Sequence, residues 1–286
     1  MTADEPRARP GRTVETTVLS LDGSNRASKE DVVVTEEPLE LRVSAGGETA
    51  ALAVTMRTPG NDFELAAGFA FGEGIVRSRE EIAQLTYCLD PALDPDQRYN
   101  VVSIELARGA LPDVTRLERH FTASSACGVC GRAQLDSLRD RGVPPLDDAV
   151  SIAPELLYSL PERMRQAQRI FESTGGLHAA ALFDETGSPI VAREDVGRHN
   201  AVDKIVGWGL LDGRLPFSRC ILMVSGRAGY EILQKSAVAR IPVVCSVSAP
   251  SSLAVELARE FGITLAGFVR DGRANVYSGS ERLTPL

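Results

Sequence analysis

The fold of this chain is decided by the stretch ILMVSGRAGYEILQKSAVARIPVVCSV, which runs from Ile221 to Val247. The stretch begins and ends with short apolar runs of strand length. Between these runs Tyr230, Leu233 and Ala237 recur at helical spacing. Short buried strands that alternate with amphipathic helices are typical of a mainly parallel sheet that helices cover on both faces. The stretch therefore predicts a strand, a helix and a second strand within an α/β domain.

The same rhythm continues on both sides of this unit. Downstream, a helical pattern that ends at Phe261 leads to a last core strand at Thr264–Val269. Upstream, the segments Leu177–Phe183 and Pro189–Ala192 flank the turn sequence DETGS and predict a hairpin. One helix precedes the hairpin and another follows it, and Pro161 predicts a kink or a restart within the first. Helix, hairpin, helix and then βαβαβ is the order of elements in the cytidine-deaminase-like fold.

The first part of the chain has a different pattern. It is rich in short segments of strand-like length and composition, namely Val14–Leu21, Leu39–Val43, Ala51–Arg57 and Val101–Leu106. One helix interrupts them, beginning near Asn61 and Asp62 and stopping at the sequence GEG of residues 72–74. We therefore expect a fold of the α/β class in the larger domain and an α+β arrangement for the chain as a whole. It would have a larger C-terminal cytidine-deaminase-like three-layer α/β domain and a smaller N-terminal α+β domain.

These patterns also predict how the chain is divided. Residues 1–13 are rich in proline and charged side chains and are expected to form a disordered tail. Residues 14–118 are assigned to the smaller domain and residues 144–286 to the larger one. Between them, residues 119–143 are predicted to form a loop and a linking helix.

Composition excludes several classes of function. The 286 residues contain no apolar run near the ~20 residues that a membrane span requires, and the N-terminus lacks the apolar segment of a signal peptide. A formal net charge of −8 argues against non-specific nucleic-acid binding, which normally requires a basic face. Five cysteines, an odd number, fit a reducing cytoplasm better than a secreted disulfide framework. We expect a cytoplasmic protein that binds neither nucleic acid nor membrane.

A loop with two cysteines is the predicted centre of the chemistry. Ser124–Gly131 reads SSACGVCG, and the sequence after it has the apolar spacing of a helix. A thiol at a helix N-terminus feels the positive end of the helix dipole, which favours the thiolate, the form that attacks sulfur or binds metal. From the residues alone, the loop suits a thiol–disulfide couple, half of a zinc site or a sulfur-carrying nucleophile. Cys220 and Cys245 lie in apolar runs and, like Cys88, are expected to be inert.

The deaminase-like order of elements is not accompanied by the residues of deaminase chemistry. Zinc deaminases carry an H-x-E pair and a P-C-x-x-C pair at two helix starts. Here the helix after the hairpin begins with Arg198 and His199 and has Ala201 where the glutamate would stand. The helix after Val224 begins without cysteine, and the CxxC loop lies upstream of the hairpin. The fold is therefore expected without deaminase activity and without a permanent metal.

The CxxC loop is one of several motifs that occur together. The others are FELAAGF at Phe63–Phe69, ESTGGLH at Glu172–His178, REDVGRHNAVDK at Arg193–Lys204, SGR at Ser225–Arg227 and GFVRDGR at Gly267–Arg273. With CGVCG at Cys127–Gly131, the chain resembles the formate dehydrogenase accessory sulfurtransferase family of the FdhD type, from about Glu15 to Tyr277. The combination of these motifs is specific for this family, whereas a CxxC motif alone would be weak evidence for it.

The resemblance implies a sulfur relay. A cysteine desulfurase would supply sulfur as a persulfide on Cys127, and Cys130 would assist in resolving that persulfide or releasing its sulfur. The sulfur would pass to the molybdenum or tungsten of a bis-molybdopterin guanine dinucleotide cofactor, bound transiently and destined for formate dehydrogenase. The resemblance also implies a homodimer.

Arginine is the natural ligand for such a cofactor, because the guanidinium fork meets phosphate oxygens bidentately. The ends of parallel strands are the usual ligand position in open α/β sheets. By this placement and by the resemblance, the expected cofactor-binding residues are Arg198, His199, Gly226, Arg227, Phe268, Val269, Arg270, Asp271, Gly272 and Arg273. For His178 a structural role and a site role both stay open. Asp203 and Lys204 are expected to form a pair on a helix surface.

Two other functions stay open. A chaperone would hold the cofactor or the apo-dehydrogenase without moving sulfur, and it would use the same arginines. A zinc or redox protein would be built on the CxxC loop, with His120 or His178 as a further zinc donor.

Overall fold

The computed structural model describes residues 10–88, 99–112, 136, 138–147 and 150–285. The predicted tail is described only from residue 10 onwards, and the CxxC loop, with Cys127 and Cys130, lies outside the described residues. Within the described ranges, no helix has the length and apolar character needed to cross a membrane.

Residues 13–106 contribute a long hairpin and a four-stranded sheet. The hairpin pairs β1 (Thr13–Asp22) with β2 (Asn25–Val34). The sheet is built from β3 (Glu37–Ala45), β4 (Glu48–Arg57), β5 (Ile82–Tyr87) and β6 (Val101–Leu106), in the order β4–β3–β6–β5. Helix α1 (Asp62–Glu73) follows β4. The sequence predicted β1, β3, β4, β6 and α1, but β2 and β5 were missed because few of their side chains are buried.

Helix α1 covers one face of the four-stranded sheet. Leu39, Leu41 and Ile104 of the sheet are fully buried in the same apolar cluster as Leu65 and Ala66 of the helix. Full burial of a leucine or isoleucine side chain contributes roughly 1.5–3 kcal/mol to stability. The first half therefore has an apolar core of its own, between one helix and one sheet face.

The hairpin of β1 and β2 contrasts with this packed sheet. Its side chains are largely exposed, and Leu19 and Leu21 are 62% and 66% exposed. The hairpin meets the second half of the chain where β2 ends. A side-chain carbon placed on Gly176 would lie 3.1 Å from Cγ1 of Val34.

The second half begins with two helices. Helix α2 (Pro154–Gln166) continues through Pro161, and the chain restarts as α3 (Arg169–Thr174). The restart comes after residue 168, where the side chain of Glu194 binds the first turn of the second helix. Its carboxylate accepts two backbone N–H groups at the start of α3, at 3.1 and 2.8 Å. The restart predicted at Pro161 is therefore wrong in its position, whereas the kink predicted there stays a prediction.

A six-stranded mixed sheet forms the centre of the second half. It comprises β7 (His178–Asp184), β8 (Pro189–Asp195), β9 (Cys220–Val224), β10 (Val243–Ser246), β11 (Thr264–Arg270) and β12 (Arg273–Ser278). The strand order is β12–β11–β10–β9–β7–β8. Strands β9, β10 and β11 are parallel, whereas β7 runs antiparallel to both β8 and β9.

Helices cover both faces of this sheet. Helices α4 (Arg198–Leu211), α5 (Tyr230–Val238) and α6 (Ser252–Glu260) share one apolar cluster with one face of the strands, and α2 shares another cluster with the opposite face. The predicted three-layer α/β arrangement and the predicted order of helix, hairpin, helix and βαβαβ are confirmed. We call the edge at which β9, β10 and β11 end the carboxyl edge. Helices α4 and α5 begin at this edge.

Helices α1 and α4 connect the two sheets through a contact between their backbones. A side-chain carbon on Gly68 would lie 1.9 Å from the carbonyl oxygen of Asp203, and one on Gly207 would lie 1.8 Å from that of Glu64. Only glycine allows two helices to approach this closely. Helix α4 therefore packs on the six-stranded sheet on one side and on α1 on the other.

Replacing Gly207 with alanine should destabilise the protein. The new methyl group would overlap the backbone of α1, and because backbone cannot move aside as a side chain can, we expect a loss of about 1–3 kcal/mol or more in the free energy of unfolding. Urea denaturation of Gly207→Ala beside the parent measures this loss. Gly11→Ala is the matched control, since its added carbon would meet only the carbonyl oxygen of Thr13 at 3.5 Å. Equal stability of both variants would contradict the close helix contact.

Candidate functional site at the carboxyl edge

Segments that are distant in sequence meet at the carboxyl edge. Ala228, after β9, pairs with Pro250, after β10, in an isolated bridge. The backbone N–H of Phe268, near the end of β11, donates to the carbonyl oxygen of Ser248 at 3.2 Å. The residues that follow β9, the loop that follows β10 and the end of β11 therefore form one continuous surface.

A cavity of about 570 Å³ opens between this surface and helices α2 and α3. Met164, Phe171 and Val247 give it apolar walls, and His178 and Ser225 are among its polar groups. Small-molecule sites typically have volumes of about 300–1,000 Å³. The cavity therefore has the size and the strand-end position of a ligand site.

His178 lines this cavity at the start of β7. Its Nδ1 atom lies 3.4 Å from the hydroxyl of Ser225, which itself accepts the backbone N–H of Ala179 at 2.9 Å. Burial, followed by the positive charge of Arg198 and by His199, lowers the pKa of His178, so this imidazole stays neutral at pH 7. Of the two roles left open for His178, the cavity position favours the site role.

Gly226 packs directly against His178. A side-chain carbon on this glycine would lie 3.3 Å from the imidazole ring and 3.6 Å from Cδ of Arg198. The absence of a side chain at Gly226 therefore allows His178 and Arg198 to pack close to this residue. Its predicted contact with the cofactor stays a prediction.

His199 is paired across the two helix starts. Its Nδ1 atom lies 2.5 Å from Oε2 of Glu231, which belongs to the first turn of α5. The hydrogen bond from His199 lowers the pKa of Glu231, so this carboxyl group stays ionised. No local pattern in the sequence indicates this pair, because its members are 32 residues apart and the partner of His199 is an ordinary exposed glutamate on a different helix.

The predicted arginines fall into two groups along the carboxyl edge. Arg198 is the first residue of α4, and its Nε atom is buried with no hydrogen-bond partner among the described residues. Arg227 follows β9 and is exposed. Arg270 and Arg273 are exposed on either side of the turn between β11 and β12. The structure thus brings Arg198 and Gly226 together beside His178, with Arg227 next to Gly226 in the chain, and places Arg270 and Arg273 at the β11–β12 turn.

The turn between β11 and β12 has unusual backbone angles. Phe268 and Asp271 have φ values of 54° and 53°, and Gly272 has a φ of 70°. Left-handed non-glycine residues cost free energy and cluster at functional sites. Val269 lies between them with its side chain fully buried in the core beside α2, so any ligand contact from this residue is made by its backbone. Arg273 lies 3.8 Å from Asp271, a long separation for an ion pair.

A buried charge network fixes the start of α4. Asp195 is fully buried and pairs with Lys204 at 2.6 Å. Its other contacts are the backbone N–H groups of Thr58 and Gly197 and the side-chain amide of Asn200. Because Thr58 follows β4, this carboxylate joins the four-stranded sheet to the helix that carries Arg198 and His199.

The predicted surface pair of Asp203 and Lys204 is wrong. Both side chains are buried, and each pairs with a different partner: Lys204 with Asp195, and Asp203 with Lys235 of α5 at 2.7 Å. Burial raises the pKa of Asp203 to about 6, and Lys235 acts in the opposite direction. The signal that would have identified buried charges is the unbroken run of small and apolar residues around them in α4.

Two of the cysteines that the structure describes, Cys220 and Cys245, are poor nucleophiles because burial keeps their thiols protonated. Burial raises the pKa of Cys220 to about 11 and that of Cys245 to about 12. Cys88 is partly buried. Within the described ranges, no group of three or more His, Cys, Asp or Glu side chains is arranged to hold a metal ion.

The strand order and the carboxyl edge define an α/β protein of the cytidine-deaminase-like class. At the helix start where a deaminase has its zinc-binding histidine, this chain has a histidine paired with a carboxylate, beside an arginine. The site therefore does not carry the deaminase residues.

Comparisons with known proteins identify the family. Residues 34–284 match the FdhD/NarQ family. The chain is 52% identical to the sulfur carrier protein FdhD of Streptomyces avermitilis over 90% of each chain, and 47% identical to that of Mycolicibacterium paratuberculosis over 93% of this chain and 97% of the relative. A crystal structure from Desulfotalea psychrophila, described as a formate dehydrogenase accessory protein, has the same fold, with a TM-score of 0.72 at 24% identity over 96% of this chain and 100% of the other. The chain belongs to the FdhD/NarQ family.

Removing the positive charge of Lys204 should be strongly destabilising. Lys204→Met leaves the buried carboxylate of Asp195 without its ion-pair partner, and breaking a buried pair on one side costs about 3–5 kcal/mol. Thermal and urea unfolding measure the loss. Arg219→Met is the control, because it breaks an ion pair at the surface, with Glu185, and should leave the free energy of unfolding nearly unchanged. Equal effects of the two substitutions would show that the Asp195 network does not hold the helix.

Proposed function

We propose that this chain is a sulfur carrier for the maturation of formate dehydrogenase. It accepts sulfur from a cysteine desulfurase as a persulfide on Cys127 and passes it to the metal of a bis-molybdopterin guanine dinucleotide cofactor. The observation that carries the proposal is the family match over residues 34–284, together with relatives named sulfur carrier protein FdhD that share 43–52% identity with the chain. A cytoplasmic location and a homodimer belong to the same proposal.

The thiol chemistry of the chain supports Cys127 as the carrier. A carrier must react as a thiolate, and the raised pKa values of Cys220 and Cys245 leave them protonated at neutral pH. The CxxC pair of Cys127 and Cys130 has the glycine-rich sequence and the following helical pattern that favour an accessible thiolate.

Loading is a thiol exchange without net oxidation. The Cys127 thiolate attacks the terminal sulfur of the donor's persulfide, and a bond forms between Cys127 Sγ and that sulfur. The sulfur–sulfur bond of the donor breaks, and the donor cysteine leaves as a thiolate. Because the persulfide on Cys127 is reversible, its outer sulfur can be handed on.

The carboxyl edge supports binding of the cofactor as a substrate. The cavity of about 570 Å³ is in the range for one fused-ring portion of a ligand, but a cofactor with two dinucleotide arms is much larger. The remainder would extend along the edge, where Arg227, Arg270 and Arg273 are exposed and available to phosphate groups. Arg198, the first residue of α4, lies close to Gly226, which also packs against His178, and its buried Nε atom has no hydrogen-bond partner among the described residues.

Cys127→Ala should abolish persulfide formation. The protein is incubated with a cysteine desulfurase and cysteine, and its intact mass is measured with and without reductant. The parent should gain a sulfur atom that reductant removes, and the variant should not. Cys88→Ser serves as the matched control and should load like the parent. A reducible sulfur on Cys127→Ala would disprove the assignment.

Complementation separates the relay from a chaperone that only holds the cofactor. A relay with Cys127→Ser should lose formate dehydrogenase maturation, whereas a chaperone should retain it. Maturation by Cys127→Ser, measured as formate oxidation in cells that lack the native carrier, would favour the chaperone.

The arginines of the β11–β12 turn should bind the nucleotide arms. We expect GDP, as a stand-in for one arm, to bind the parent and to bind Arg270→Ala/Arg273→Ala at least about tenfold more weakly, because charge-assisted hydrogen bonds to phosphate are lost. Calorimetry measures the affinity. Arg219→Ala/Arg259→Ala removes two exposed arginines elsewhere and is the control. Unchanged affinity in the first double variant would exclude these arginines from the site.

A further inference from the structure

A buried glutamine between α2 and α3 lines the cavity at the carboxyl edge. Gln168 is 5% exposed and stands immediately before the first residue of α3. Its backbone N–H donates to the carbonyl oxygen of Arg165 at 3.0 Å, and its own carbonyl oxygen accepts the N–H of Glu172 at 3.1 Å. The backbone of Gln168 is therefore satisfied, which leaves only its side-chain amide to be accounted for.

This amide has no hydrogen-bond partner among the described residues. A side chain that stands before a helix usually accepts N–H groups of the first turn. Here Glu194 accepts the N–H groups of Ile170 and Phe171, and Gln168 makes no capping hydrogen bond. A ligand that displaces water from this amide must replace the hydrogen bonds of that water, or it loses affinity. Gln168 therefore selects for a group with a complementary donor and acceptor.

The other polar groups that line the cavity are uncharged or exposed. Ser225 contributes a hydroxyl group, and the lowered pKa of His178 keeps its imidazole neutral. The charged residues of the lining, Glu162 and Arg165, are both exposed. Burying a phosphate group without a paired cation would be costly. The cavity therefore suits an uncharged polar group, and any phosphate attached to that group would stay outside.

The walls of the cavity suit a flat ring. The guanidinium carbon of Arg165 lies 4.9 Å from the centre of the Phe171 ring, so two planar groups lie together in the lining. Met164 adds a polarisable thioether that is 2% exposed. Aromatic rings and methionine side chains pack favourably on aromatic ligands. A volume of about 570 Å³ accommodates a fused two-ring heterocycle.

We propose that this cavity binds the aminopyrimidinone ring that guanine and pterin share, and that Gln168 is the residue that selects this ring. The inference rests on the proposed function, because the cofactor that accepts the sulfur contains both a guanine and a pterin. The lactam edge of the ring has an N–H group beside a carbonyl oxygen, and so does the primary amide of glutamine. The two edges pair through two hydrogen bonds, as glutamine pairs with a base edge in nucleic-acid recognition.

Two uncharged compounds test the cavity independently of the exposed arginines. Binding of neopterin, a pterin, is followed by its fluorescence, and binding of guanosine is followed by calorimetry. We expect the parent to bind at least one of them. Gln168→Met keeps the length of the side chain and removes the amide, so it should bind the same compound about tenfold or more weakly. Gln166→Met is the matched control, since this glutamine is exposed on α2 and does not line the cavity.

Two further measurements separate recognition of the ring from a structural role of Gln168. Methylation of the lactam nitrogen removes the N–H group from the ligand, so the methylated compound should bind the parent and Gln168→Met with the same affinity. Urea unfolding without ligand should give Gln168→Met at least the stability of the parent, because the substitution breaks no hydrogen bond among the described residues. A loss of stability together with unchanged ring affinity would assign Gln168 a structural role and overturn the inference.

The outcomes distinguish the two sources of the ring and the two proposals. Preference for neopterin assigns the cavity to the pterin, and preference for guanosine assigns it to the nucleotide arm. A parent that binds neither compound, or that binds as tightly as Gln168→Met, overturns the inference. Sulfur loading of Cys127 is measured by intact mass on the same preparations. A parent that loads sulfur but fails the binding tests keeps the proposed carrier function, whereas a parent that binds the ring through Gln168 but never gains sulfur keeps the ring site and loses that function.

Discussion

The carboxylate of Asp195 is the point at which the separate parts of this protein are held together. It lies at the end of β8 with no exposed surface, and it contacts a lysine of α4, the backbone after β4 and the backbone turn that leads into α4. A buried charge is tolerated only when all of its hydrogen-bonding capacity is used. The position of the first turn of α4, and hence of Arg198 and His199, therefore depends on this one side chain.

The carboxyl edge then follows from the direction of the strands. Because β9, β10 and β11 are parallel, their ends and the loops that follow them lie side by side, and the antiparallel β7 places its first residue, His178, at the same edge. Residues from four separate motifs of the sequence thus share one surface. Their proximity comes from topology, since nothing in their spacing along the chain would bring them together.

The sequence was sufficient for the fold of the second half. The apolar runs at β9, β10 and β11 and the helical spacing of α5 are strong local signals, and Arg198 and His199 begin the helix that was expected after the hairpin. Strand β2 could not be predicted because its side chains are mostly exposed and show no alternation. The pairings of Asp203 with Lys235 and of His199 with Glu231 join different helices, so no local pattern encodes them. Charges next to one another in a helix indicate a solvated face unless their surroundings are known to be buried.

The hairpin of β1 and β2 has a consequence for how the molecule exchanges its amide hydrogens. Each of its strands pairs only with the other in the part of the chain that the structure describes, so about half of their backbone N–H groups point outward to water. Isolated two-stranded ribbons are marginally stable, and such segments open without unfolding the rest. Helix α4, enclosed between a sheet and another helix, can release its amides only when the whole domain opens. Amide hydrogens should therefore exchange fast in β1 and β2 and slowly in α4, beneath the site.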